Sequence, residues 1–77
     1  MTEREIKSIS SSLADTFIAN PGEFVRKFDS LNGRVTVHEG YAIGRLMDVY
    51  RRVKIREITR QEAISEQREI LSEAILI

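Results

Sequence analysis

The sequence predicts an all-α fold, a small four-helix domain that spans residues 1–77 as a single unit. Three observations predict it. Four capping signals recur, Thr2 with Glu5, Asn20 with Glu23, Thr36 with Glu39 and Thr59 with Glu62, each heading a segment of helical apolar spacing. The stretch from Thr36 to Ile58 carries the longest such spacing. The one short alternating segment has no second strand in the chain to pair with. The expected helices cover residues 3–19, 21–31, 37–57 and 60–76.

The first helix, 3–19, places Ile6, Ile9, Leu13 and Phe17 on one stripe, with Ala14 and Ile18 beside it. Met1 and Ile6 stand at the two positions of a hydrophobic staple around Thr2. The run Ser10, Ser11, Ser12 is poor helix material, and is read as solvent-facing or bonded back to the helix's own carbonyls. Asn20-Pro21-Gly22 then breaks the chain. Proline suits the first position of a new helix, where its missing N–H costs nothing, and it disfavours helical geometry at Asn20.

The second helix, 21–31, is expected to bury Phe24, Val25, Phe28 and Leu31. Phe17, Phe24 and Phe28 are the only phenylalanines and are expected to meet in the core. Asn32-Gly33 tolerates the left-handed geometry that ends a helix. Residues 34–38 alternate polar and apolar with Val35 and Val37 inward. They read as an extended linker in preference to a strand.

The third helix, 37–57, is the element the others are expected to pack on. Ile43, Leu46, Met47, Tyr50 and Val53 form its stripe, widened by Ala42, Val49 and Ile58. Gly40 and Gly44 lie four apart, each costing about 1 kcal/mol of helix propensity relative to alanine. They read either as a frayed helix start or as a notch where another backbone approaches. The last helix, 60–76, turns Ala63, Ile64, Ile70, Leu71, Ala74 and Ile75 inward, and Glu62, Glu66, Glu69 and Glu73 outward.

The formal charge is zero, from 12 basic and 12 acidic residues, but unevenly placed. Residues 45–56 hold five basic and one acidic group, a net of +4, whereas residues 57–77 hold two basic and five acidic, a net of −3. The basic cluster is Arg45, Arg51, Arg52, Lys54 and Arg56. Arg45, Arg52 and Arg56 share one stripe of the expected helix. Such a stripe is a candidate surface for an acidic partner or for phosphates. Asp48, four residues before Arg52, and the glutamates of the last helix are candidates to neutralise it within the fold.

Residues 46–71 resemble the SHOCT helical hairpin in Ile58-Thr59 followed by Glu62 and in the pair Ile70-Leu71. They depart from it where that family's glycine is Glu57 and its aromatic is Ala63. Residues 34–71 resemble a ribbon-helix-helix DNA-binding repressor in the alternating RVTVH, a helix, and TRQEAI opening a second helix. The turn lacks that family's glycine and the first helix is longer. Each resemblance covers half the chain or less and assigns no family.

Chemistry is sparse. His38 is the only histidine, there is no cysteine, and one imidazole beside Glu39 falls short of a metal site. No phosphate loop, dinucleotide fingerprint or nucleophile elbow appears. The expectation is a non-catalytic protein with no cofactor, no metal and no small-molecule substrate. The charged, non-apolar start MTEREIKS and the lack of cysteine lead to an expected cytoplasmic location, with no membrane span.

A chain this size buries only about 60–65% of its unfolded surface, so self-association is expected. The apolar end Ile75, Leu76 and Ile77 is the candidate contact for a second copy. The expected function is protein–protein interaction or regulation by direct contact. The alternative is a small DNA-binding regulator using the basic stripe.

Overall fold

The structure is a computed structural model and describes residues 1–75. It contains four helices: α1 over Glu3–Ala19, α2 over Pro21–Asp29, α3 over Val37–Lys54 and α4 over Arg60–Ile75. No strand occurs among the described residues. The all-α prediction holds, and the four caps explain why each helix starts where it does. Thr2, Thr36 and Thr59 each accept from the backbone N–H three residues on, and Glu5, Glu39 and Glu62 reach back to the threonine N–H. Asn20 accepts from Glu23 N–H at 3.3 Å without the reciprocal bond. Pro21 follows it at the first helical position.

α3 lies at the centre. It packs on α1 and on α4, while α2 packs on α1. The core cluster is Ile6 and Leu13 of α1, Ala42, Ile43, Leu46 and Val49 of α3, and Ala63, Ile70 and Leu71 of α4. Ala42 and Val49, expected at the margin of the α3 stripe, are at its middle. Met47, Tyr50 and Val53 are half-buried at its edge. Ile6, Leu13 and Ala14 are buried on α1 as expected, but Phe17 is only half-buried and Ile18 is 46% exposed. Ile9 of the expected stripe is half-buried, and Ser10 beside it is fully buried. Its hydroxyl donates to Ile6 O at 2.6 Å, which satisfies a polar atom that water cannot reach.

Several boundaries and facings differ from the sequence reading. α2 ends at Asp29, and none of its residues is buried: Phe24 and Phe28 are half-buried and Val25 is largely exposed. Only one side of this short helix meets another element. The three phenylalanines do meet, Phe17 edge-on to Phe24 at 5.1 Å and Phe24 tilted against Phe28 at 5.7 Å. Residues 30–34 form turns, with Gly33 at φ 81°, Val35 is a bend, and only Thr36, the cap of α3, is extended where a linker over 34–38 was expected. Val35 packs against the core, but Val37, the first residue of α3, is 87% exposed and not inward as expected. Without a strand at residues 34–38, the ribbon that a ribbon-helix-helix protein needs is missing.

α3 stops at Lys54, three residues earlier than expected. Arg56 N–H donates to Val53 O at 3.0 Å and Glu57 N–H to Arg52 O at 2.8 Å, a Schellman closure. That closure needs a left-handed residue, and Arg56 supplies it at φ 62°. On α4, Ala63, Ile70 and Leu71 are buried, whereas Ile64 is 48% exposed. Leu76 and Ile77 lie outside the described residues, as do the side chains of Ala74 and Ile75. No helix among the described residues is long and apolar enough to cross a membrane.

Candidate functional site

The basic cluster of α3 is divided by the fold into three parts. Arg45 and Arg52 face α4. Arg45 Nη1 donates to Glu73 Oε2 at 2.6 Å, and Arg52 Nη2 donates to Glu66 Oε2 at 3.0 Å. The Nε of Arg52 also donates to Asp48 Oδ2 at 3.1 Å, so one guanidinium ties two helices. Arg51 and Lys54 face α1. Arg51 Nη2 donates to Asp48 Oδ1 at 2.9 Å, and its guanidinium carbon lies 5.7 Å from the centre of the Phe17 ring. Lys54 pairs with Asp15. Arg56 stands beyond the helix end, off the stripe expected for it, and makes no ion pair among the described residues.

These pairings hold the cations charged. The hydrogen bond that Arg45 donates to Glu73 raises it, against the opposing effect of burial. Burial pulls Arg52 down, but the hydrogen bond and charge of Glu66, with Asp48, outweigh it and leave it raised. Glu66 and Glu73 of α4 therefore serve as counter-ions in the fold. Asp15 had no such signal in the sequence, because it belongs to a helix far from Lys54 along the chain.

Beside these pairs runs a groove of about 450 Å³. Phe28, Gly44, Val49 and Ile70 supply its apolar surface, and Tyr41 and Glu69 stand at its sides. Gly40 and Gly44 both lie within α3, since Gly40 N–H donates to Thr36 O at 2.9 Å in the first turn. This overturns a frayed start. A Cβ added at Gly40 would lie 3.7 Å from Val35 Cγ2, and one at Gly44 would lie 4.0 Å from the Phe28 ring. Both are ordinary contacts, so packing within the chain does not demand glycine at either position.

Val37 and Tyr41, four apart on α3, form an exposed apolar ridge next to the groove, at 87% and 68% exposure. The Arg45 guanidinium carbon sits 5.6 Å from the centre of the Tyr41 ring and continues the ridge. Sequence reasoning missed this ridge. Val37 had been turned inward by the alternation of residues 34–38, and Tyr41 falls off the buried stripe. His38 is exposed on the first turn of α3. The candidate self-association contact at Ile75, Leu76 and Ile77 lies outside the residues whose side chains are described. No known family, curated protein or solved structure matches this chain.

Proposed function

We propose that this chain is a small non-catalytic protein that acts by direct contact with other proteins and associates with itself. The observation that carries the reading is the neutralisation of the basic cluster. Arg45, Arg51, Arg52 and Lys54 are each paired with a carboxylate of the same chain. A phosphate backbone would have to displace those carboxylates before gaining the counter-ion release that drives nucleic-acid binding. What stays uncovered is a mixed surface: the Val37–Tyr41 ridge, the groove beside it, and Arg56, the one member of the basic cluster with no ion pair among the described residues.

Tyrosine and arginine beside an apolar groove are the residue types that carry protein contacts. Self-association has separate support in the area. The chain exposes 5324 Å², against about 4800 Å² for a monomer of its mass by the usual area scaling. Zero net charge adds no repulsion between copies.

Sedimentation equilibrium of the full chain, from micromolar to millimolar, is expected to show a mass above that of the monomer. Titration with random duplex DNA at low salt is expected to show no binding. DNA binding with a steep log–log salt slope would overturn the contact reading in favour of a DNA-binding regulator.

A further inference from the structure

We infer that two copies of this chain pair about a twofold axis crossing α3 at Gly44 and Arg45, each setting Tyr41 into the groove of the other. The inference rests on the self-association proposed above and gives it a definite face.

The shape of the groove is the first argument. Phe28 of α2 stands on one side of it, and Glu66, Glu69 and Ile70 of α4 on the other. Between them α3 presents Gly40 and Gly44, which have no side chain to fill the space of about 450 Å³. Next to this space the Tyr41 side chain is 68% exposed, a large ring left in water. A ridge beside a groove on one helix is self-complementary under a twofold rotation, because the rotation that seats one ridge seats the other. A different protein would have to bring a matching ridge of its own. A second copy already has it.

The register along α3 is the second argument. The bonds from Arg45 to Glu73 and from Arg52 to Glu66 run α4 antiparallel to α3 and set Glu69 level with Asp48. Tyr41 and Asp48 are seven residues apart, about two turns, so they lie along one face of α3. The midpoint between them falls at Gly44 and Arg45. Rotation about that point carries Tyr41 to the level of Asp48 and Glu69 in the other copy. Neither the Tyr41 hydroxyl nor the Glu69 carboxylate has a hydrogen-bond or ion-pair partner among the described residues. Across the axis the hydroxyl donates to the carboxylate, twice over, in a charge-assisted bond. At the axis itself each Arg45 carries Glu73 with it, so neutral pairs meet there.

Area is the third argument. The chain is flattened, its Cα atoms spanning 33 × 32 × 15 Å. It exposes roughly 500 Å² more than a monomer of its mass usually does. That surplus is most of the about 600 Å² that a small specific interface covers on each partner.

Sedimentation equilibrium on the full chain, wild type against variants, tests this. Tyr41→Ala is expected to raise the dissociation constant of the dimer by roughly tenfold or more, as an aromatic anchor at the middle of a contact does. Glu69→Gln is expected to weaken the dimer, and by no more when Tyr41→Phe is added, because the two remove one bond. Gly44→Ala keeps an ordinary 4.0 Å contact with Phe28 and favours the helix, so it folds; it is expected to weaken the dimer by filling the groove. Val25→Ala, exposed on α2, is expected to leave association within about twofold. Far-UV circular dichroism is expected to match wild type in every variant. A wild-type dimer that neither Tyr41→Ala nor Gly44→Ala weakens would overturn this face and leave self-association standing. A wild-type mass of three or more copies would overturn the twofold pairing in the same way. A wild-type chain that stays monomeric at millimolar concentration would remove self-association and this face together.

Discussion

Arg52 and Glu66 are joined across the seam between α3 and α4 at 3.0 Å, while the same guanidinium holds Asp48 on its own helix. One side chain thus converts a charge pattern that looks like a ligand site into a brace between two helices. Partly exposed ion pairs contribute modestly, because water screens them and ordering two long side chains costs entropy. A double-mutant cycle of Arg52→Ala and Glu66→Ala is expected to show a coupling of about 0.5–1 kcal/mol at low salt, shrinking in about 1 M salt. Zero coupling in urea unfolding would mean that the pair braces nothing.

Burial separates residues that look alike in the sequence. Leu46 has 0% exposure and Val25 54%. Leu46→Ala is expected to lose about 2–5 kcal/mol, through lost transfer energy and the cavity left behind. That is a large part of the total for a chain this small. Val25→Ala should stay within about 0.5 kcal/mol. Chemical denaturation of both variants checks the assignment, and a large loss at Val25 would place α2 in the core.

Arg56 holds a left-handed conformation that glycine adopts without a Cβ penalty. Arg56→Gly is therefore expected to stabilise the fold by about 0.5–1 kcal/mol, after the extra backbone freedom of glycine in the unfolded chain is counted. In thermal unfolding this is a rise in Tm of a few degrees. A fall in Tm would show that the Arg56 side chain has a partner in the fold.

The three complete capping boxes tie stability to acid. Glu5, Glu39 and Glu62 are each lowered from the ordinary value of 4.5, first of all by the backbone N–H of the threonine each one caps. The folded chain thus favours the ionised carboxylates. Their contribution is present above pH 4.5 and is lost as pH falls through the depressed values. Tm is expected to be level from about pH 7 to pH 5 and to drop below about pH 4.5. Gln at all three positions keeps the capping geometry and should flatten the drop. An unchanged pH profile would remove the boxes as the acid-sensitive element.

The four helix starts were legible because a cap is a local device. Thr and Glu three residues apart settle it among themselves. The exits were harder to read: α2 and α3 both stop short of the expected residues. The end of α3 depends on a left-handed arginine, which no rule of residue preference selects. The site was legible only in part. The glutamates of α4 stood out as possible counter-ions to the α3 cations, but Asp15 did not, because the pairing of Lys54 with α1 exists only after α1 and α3 pack. The exposed Val37–Tyr41 ridge was hidden for a related reason. Which flank of a helix stays bare depends on where its neighbours end.

By itself, the sequence determined the class of fold, the number of helices and the residue that opens each one. Those properties rest on spacing and capping within a few residues. Only the tertiary structure decided that α2 lays half-buried phenylalanines against the core and buries no residue fully, that four α3 cations are already matched by carboxylates, and that Gly40 and Gly44 lie inside a helix beside an open groove. Each of these is a relation between helices distant along the chain, and the physical reason is common to all. Burial and ion pairing are set by which surfaces meet, and that is fixed only when the whole chain packs at once.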